Sequence, residues 1–536
     1  MSKIKLLDCT LRDGGYINDW RFGKKEINQI VKHLDKAKVE IIEVGFLTDM
    51  PHTEEYSLFY NSNEVDRICQ DVKTSKIAAM IALGEKEIDP SILPPKSESK
   101  LDIVRLTFHR DEEEISRAIS FATCLMAKGY KVCMQPIGTA AYSDTALLGL
   151  IDRINKLSPY AFYLVDTLGS FYNEDLLRLV YLVDHNLASN IKLGFHSHNN
   201  LQMSFSNAQK ILELPSNREF ILDSSLFGMG RGAGNLCTEL ISKYTNSISK
   251  SSYEMIYILE AIENYIYPIY VQNQWGYNAH YYIAATHKCH PNYASYLMNK
   301  QTLTMNEVNL LLQNLPKDER HVFDKTLIET LYVNFQNKKS DMASCVDTAE
   351  IFKDKAKSVL LLAPGKTLVE FKSDIKSFIK ENNPLIISIN SSYDAFNEDY
   401  VFISNNKRLY SLDYDSCKGK IIITSNLPAL NEKFLQVNYN DLCDYSFDEP
   451  DNAGMMLLRL LTKAGIKKAY LAGFDGFSSK GKQSYYTDKI LNPFSEEEAY
   501  NKNLSVCTQL NVIKKDLCIE FITPSMYERM PIDEKA

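Results

Sequence analysis

At 536 residues the chain is too long for a single hydrophobic core, so two or three domains are expected. Hydrophobic residues at 45% and charged residues at 24% are ordinary for a folded globular protein, and the net charge of -8 argues against a general nucleic-acid binder. Eleven cysteines without a C-x-x-C pair, no apolar leader and no apolar run of about 18 residues lead to the expectation of a reducing, cytoplasmic setting with no membrane span.

Over the first 250 residues, short apolar runs alternate with amphipathic helical stretches. The expected strands are 5–9, 41–46, 77–82, 103–108, 131–136, 162–166, 192–196 and 219–224, with helices such as 24–37, 112–128 and 145–157 between them. Eight such units in about 250 residues match the count and length of a closed (β/α)8 TIM barrel, and continuous apolar strands suit a sheet covered on both faces. Residues 251–345 read as a helical extension packed on the barrel, and 337–347 as a polar linker. From 356 to 536 the β/α alternation returns, with strands at 359–362, 385–389, 400–403, 419–424 and 468–472. An open, doubly wound, Rossmann-like α/β domain is expected there.

The chemistry-bearing residues sit where the barrel strands end: Asp13, Glu43, Gln135, Asp166-Thr167, His196, His198 and the glycine-rich run 228–235. That is the face on which such barrels carry their sites. His196 and His198, at i and i+2 on a strand, point to the same side and can reach one metal ion, with Asp13 as the carboxylate. Arg12 adds a positive charge beside them. Plainer readings stand next to these. Arg12 also suits an ion pair across the barrel mouth, Glu43 a carboxylate that orients Arg12, and Gln135 and Thr167 hydrogen bonds within the barrel. The glycines suit a tight turn, and Cys9, Cys133 and Cys237 suit apolar packing.

The runs Leu7-Asp-Cys-Thr-Leu-Arg-Asp-Gly-Gly15, Ile42-Glu-Val-Gly-Phe46, Val165-Asp-Thr-Leu-Gly169, Gly194-Phe-His-Ser-His-Asn-Asn200 and Gly232-Ala-Gly-Asn235 resemble, in order, the HMG-CoA lyase-like (DRE-TIM) metallolyases. The Arg-Asp-Gly-Gly form resembles the 4-hydroxy-2-oxovalerate aldolase branch. The resemblance implies a divalent cation, Mn2+ or Mg2+ with Zn2+ or Co2+ as alternatives, held by Asp13, His196, His198 and Asn235. It also implies an enolate stabilised by the metal and Arg12, a 2-oxo acid such as pyruvate together with an aldehyde, and a homo-oligomer. Where these aldolases carry a histidine after the Arg-Asp pair, this chain has Tyr16, a poor base at its ordinary pKa. His109, His280, His287 and His290 are the other candidates for that role. Catalysis is therefore assigned to Arg12 and Tyr16, and substrate binding to Glu43, Gln135 and Thr167.

In the C-terminal domain, Leu361-Leu-Ala-Pro-Gly-Lys-Thr367 lacks P-loop spacing, although a helix N-terminus there is suited to an anion. The runs 384–390, 402–408 and 469–476 resemble Rossmann-type surface-glycan enzymes, which implies a nucleotide or sugar ligand and a role in surface carbohydrate synthesis. Lys366 and Arg408 are phosphate candidates, and Asp475 a candidate for a sugar hydroxyl or a turn cap. The expected activity is a metal-dependent carbon–carbon lyase (aldolase). A Claisen-type acyl-CoA synthase, and a barrel that scaffolds a C-terminal transferase, remain open alternatives.

Overall fold

The computed structural model describes residues 3–249, 252–340, 345–352, 358–393, 395–478 and 495–528. The chain separates into two compact units, 1–294 with 316–323, and 295–315 with 324–536.

The first unit is the eight-stranded parallel barrel. Its strands are β1 (Lys3–Asp8), β2 (Ile41–Leu47), β3 (Lys76–Ala82), β4 (Leu101–Phe108), β5 (Lys131–Pro136), β6 (Ala161–Asp166), β7 (Lys192–Ser197) and β8 (Glu219–Ser224), paired in that order. β1 closes the ring by pairing with β2 through Leu7↔Ile41 and with β8 through Lys3↔Glu219. A two-residue strand, Leu58–Phe59, flanks the end of β2. All seven residues of β2 are buried, as expected where helices cover one face and the barrel interior the other. The outer helices show the complementary period. Lys24–Lys36 buries Ile27, Ile30, Val31 and Leu34, and each such side chain contributes roughly 1.5–3 kcal/mol. Asp111 caps Glu112–Ala127 by accepting from the Glu113 and Glu114 amides.

The helical extension does not behave as one block. Met255–Ala261, Tyr267–Gln272 and Ala279–Thr286 belong to the barrel unit, whereas residues 295–315 and 324–340 belong to the second unit. Within the first unit Trp275 Nε1 donates to the Phe227 carbonyl at 3.0 Å, holding the start of the glycine-rich loop. The stretch expected to begin a linker at 337 is instead the last turn of the helix Lys325–Ser340, which buries Gln336 and Ser340; residues 341–344 lie outside the described residues. Polar composition misled there because the helix buries polar side chains with partners, such as Gln336 with Asn426 at 3.0 Å.

The second unit carries a seven-stranded, all-parallel sheet: β9 (Ser358–Leu362), β10 (Leu385–Ile389), β11 (Tyr400–Ile403), β12 (Lys420–Thr424), β13 (Leu435–Val437), β14 (Lys468–Ala472) and β15 (Cys518–Phe521). Its order is β13-β12-β11-β10-β9-β14-β15. The chain winds outward from β9 to β13, then crosses back to lay β14 on the other side of β9. The edge strands β13 and β15 escaped the sequence reading because three or four half-exposed residues carry almost no pattern. Among the described residues no helix is long and apolar enough to cross a membrane.

Candidate metal centre

The turn after β1 builds one side of the site. Asp8 accepts from the Thr10 amide at 3.0 Å and from Thr238 Oγ1 at 2.6 Å, fixing the single helical turn Thr10–Asp13 that carries Arg12 and Asp13. β7 builds the other side. His196 lies near its end, and His198 follows it, bridged in antiparallel fashion to Asn235. Gly230 makes that approach possible, since a Cβ there would meet Asn235 Nδ2 at 2.4 Å.

Asp13, His196 and His198 each offer a ligand atom, and these atoms lie within 4.8 Å of one another; all three residues are buried. Asp13 Oδ2 accepts from Asn235 Nδ2 at 2.7 Å, and its Oδ1 from Arg12 Nη1 at 2.5 Å. Arg12 Nε continues to Glu43 Oε2 at 2.9 Å, which also accepts from Arg105 Nη1 at 2.8 Å. Arg105 Nη2 donates to Asp223 Oδ2, and the same oxygen meets His196 Nδ1 at 3.0 Å. The buried polar groups thus form one chain from Asn235 to His196.

Charge in this chain is not balanced by its own members. Arg12 and Arg105 face Asp13, Glu43 and Asp223, two positive charges against three negative, which leaves one net negative charge for a cation to offset. Burial by itself would raise the Asp13 carboxyl, but the Arg12 guanidinium, helped by the hydrogen bond from Asn235, outweighs it and holds the group well below the usual carboxylate range. Burial likewise opposes ionisation of Asp223, and Arg105 with His196 overcomes it. Burial lowers His198 to about 3 against the pull of Asp13, so its ring is neutral and ligand-ready. Among the described residues the buried His198 Nδ1 and Asn235 Oδ1 have no hydrogen-bond partner. A carboxylate, two imidazoles, the unused amide oxygen of Asn235 and one surplus negative charge fit a divalent cation.

The other expected residues fall as follows. Gln135 is buried at the end of β5, its Oε1 without a hydrogen-bond partner among the described residues, and Thr167 Oγ1, just past β6, accepts from the Gly138 amide at 2.9 Å. Glu43 is not at a strand end. It is the third residue of β2, wholly buried beneath Arg12, where only a charge already matched by two guanidiniums is tolerated. Tyr16 follows in the next helical turn, edge-on to Trp20 at 4.9 Å with the Arg231 guanidinium 5.5 Å from its ring. The residue is 36% exposed, yet desolvation of its hydroxyl pushes that group up from the ordinary value, more than Arg231 pulls it down. His109 Nδ1 is turned to Glu114 at 3.2 Å, and His290 Nδ1 accepts from the Asn292 amide at 3.2 Å. Sequence reasoning missed Arg105 and Asp223. The available signal was a charge set in each of two short apolar runs, in Ile103-Val-Arg-Leu and in Phe220-Ile-Leu-Asp.

Residues 3–250 match the HMGL-like family. The chain is 28% identical over 238 residues to the oxaloacetate decarboxylase of Mycobacterium tuberculosis, covering 44% of this chain and 68% of that one. It is 26% identical over 279 residues to the 4-hydroxy-2-oxovalerate aldolase of Geobacillus genomosp. 3, covering 50% and 77%. Among solved structures, the HMG-CoA lyase of Brucella melitensis aligns with a TM-score of 0.38 at 13% identity, over 49% of this chain and 96% of that one.

Proposed function

We propose, on the match of residues 3–250 to the HMGL-like family, that the barrel is a divalent-metal-dependent aldolase that makes or breaks the carbon–carbon bond next to a 2-oxo acid. The observation that carries the reading is the convergence of Asp13, His196 and His198 with Arg12 on the same carboxylate. Asp13, His196 and His198 would hold the ion, Mn2+ or Mg2+ for preference, with Asn235 Oδ1 as a further ligand. Bound there, the ion supplies Lewis-acid polarisation of the keto group. The relatives named for oxaloacetate and 4-hydroxy-2-oxovalerate both act on 2-oxo acids, which supports a pyruvate-like substrate and, in the aldol direction, an aldehyde partner.

The side chains divide the remaining work. Arg12 is locked between Asp13 and Glu43, so its charge is in place before the reaction and needs no reorganisation to stabilise a developing enolate oxygen. Glu43 positions Arg12 and is not in a place to meet substrate. Gln135 and Thr167 bind the substrate's oxygens; the Thr167 oxygen accepts from Gly138, which leaves its own proton to donate. Tyr16 keeps its proton at neutral pH, so its role is to donate to the alkoxide formed in the aldol direction rather than to act as an unaided base. In the second unit, a cleft lined by Gly365, Asn390, Asn405 and Gly473 at the carboxyl ends of β9, β10, β11 and β14 supports a nucleotide or sugar ligand there.

The test is to incubate manganese-loaded protein with pyruvate in deuterated water and follow the methyl protons by NMR. Exchange that disappears in His196→Ala and in Arg12→Gln is expected. Exchange that persists in His196→Ala would remove the barrel site from the chemistry.

A further inference from the structure

Two cations that the chemistry above does not use meet beside Tyr16. Lys86 sits in the tight turn that leaves β3 at its carboxyl end, where its amide donates to the Ala82 carbonyl at 2.9 Å and its carbonyl accepts from the Ala82 amide at 2.7 Å. From there Nζ stands 4.4 Å from the ring centroid of Trp20, 5.4 Å from that of Phe46 and 5.7 Å from that of Tyr16. Arg231 comes from the glycine-rich loop and places its guanidinium 5.5 Å from the same Tyr16 ring. That loop is held in place, since the Ala233 amide donates to Asn200 Oδ1 at 2.9 Å and the Asn235 amide to the Gly228 carbonyl at 3.0 Å.

Neither cation is matched by an acid. Both side chains are half-buried, yet among the described residues neither makes an ion pair or a side-chain hydrogen bond. Burial lowers the Lys86 ammonium from its ordinary value, against the weaker pull of the exposed Glu85. Aromatic faces attract an ammonium without cancelling its charge. The rings that feel Arg231, His198 and His290, are both lowered to about 3 by burial, with Arg231 adding to the effect, so as neutral groups they bring it no negative charge. The interior differs: Arg12 is matched by Asp13 and Glu43, and Arg105 by Glu43 and Asp223. A partly desolvated cation without a counter-charge is costly, and an arriving anion removes that cost.

We infer that Lys86 and Arg231 bind an anionic group, a carboxylate or a phosphate, on the aldehyde that meets the pyruvate enolate. The acceptor is then a charged aldehyde and not a simple alkyl one. The inference rests on the aldolase reading of the barrel and deepens it by naming the class of its second substrate. The placement suits an acceptor, because Tyr16, which donates to the new alkoxide, lies next to both cations. A guanidinium offers two parallel donors to either oxyanion, and an ammonium adds a point charge. In the step itself a methyl C–H of pyruvate breaks, its carbon bonds the aldehyde carbon, and the aldehyde oxygen takes a proton from Tyr16, which the released methyl proton restores through solvent. The anionic group is a handle and leaves unchanged.

The experiment follows condensation of pyruvate by the manganese-loaded full chain with two matched pairs of aldehydes: succinic semialdehyde against butyraldehyde, and glyceraldehyde 3-phosphate against glyceraldehyde. In at least one pair kcat/KM is expected to favour the charged member about tenfold or more, and which pair does so separates carboxylate from phosphate. Arg231→Gln and Lys86→Gln are each expected to lower that ratio several-fold, chiefly by raising KM for the charged aldehyde. Where one variant does not fold, as shown by its melting curve, the wild-type ratio and the other variant decide. Three results would overturn the inference and leave the aldolase reading standing, provided that wild type still exchanges the methyl protons of pyruvate: equal turnover of charged and neutral aldehydes, a preference that neither variant changes, or no condensation with any of the four. Equal losses toward both members of a pair would move the two cations to the carboxylate of pyruvate and overturn it as well. Wild type that exchanges no methyl protons would remove both the inference and the reading beneath it.

Discussion

Asp223 Oδ2 lies 3.0 Å from His196 Nδ1 and accepts Arg105 at the same oxygen. A single carboxylate therefore fixes which nitrogen of His196 bears the proton and leaves Nε2 as its free donor atom. Asp223→Asn removes the charge that holds this tautomer. Mn2+ affinity, measured by calorimetry on metal-free protein, is expected to fall about 10- to 100-fold. An unchanged affinity would show that the ring is oriented by its packing alone.

Arg105 is wholly buried and bonds both Glu43 and Asp223. Arg105→Met would take a guanidinium from two buried carboxylates, leaving Glu43 only Arg12 and Asp223 only His196, an expected loss of about 3–5 kcal/mol in barrel stability. The exposed pair Lys24–Glu54, 2.6 Å apart, provides the contrast: Lys24→Ala should change stability by no more than about 1 kcal/mol. Thermal melts of the two variants, side by side, check both values. Similar melting temperatures would mean that the interior network is not what holds the barrel.

Tyr16 holds its proton because burial outweighs the pull of Arg231. Tyr16→Phe should therefore lower kcat in the aldol direction while leaving the acidic limb of the pH–rate profile where it was. An acidic limb that moves or vanishes in this variant would identify Tyr16 as the titrating base.

Asp166, at the end of β6, is raised to about 7 by burial, against the pull of hydrogen bonds from the Phe171 and Ser170 amides. A carboxyl whose folded pKa lies above its unfolded value of 3.8 binds protons more tightly when folded. Its contribution to stability is then greatest below the unfolded value and is lost as pH rises through about 7. Asp166→Asn should flatten the pH dependence of the barrel's melting temperature across that window. A wild-type melting temperature that instead rises steadily over the window, with the variant parallel to it, would show that Asp166 ionises normally in the folded state.

The barrel was legible in the sequence because its signals are local. A strand covered on both faces reads as an apolar run, as in Ile41–Leu47, and a helix covered on one face repeats every three or four residues, as in Lys24–Lys36. Asp13, His196 and His198 were legible for the same reason, since residue type and i, i+2 spacing are properties of one short segment. The sequence by itself thus determined the strand and helix alternation, the metal-ligand types and the unusual Tyr16. Only the tertiary structure decided that Arg105 and Asp223 complete the network and that Glu43 lies under Arg12 rather than at the mouth. It also decided that Asp475 caps a helix end once open to an anion. Those pairings join residues 31 to 118 positions apart, and a buried charge is stable only beside the partner that ring closure or strand crossover brings to it.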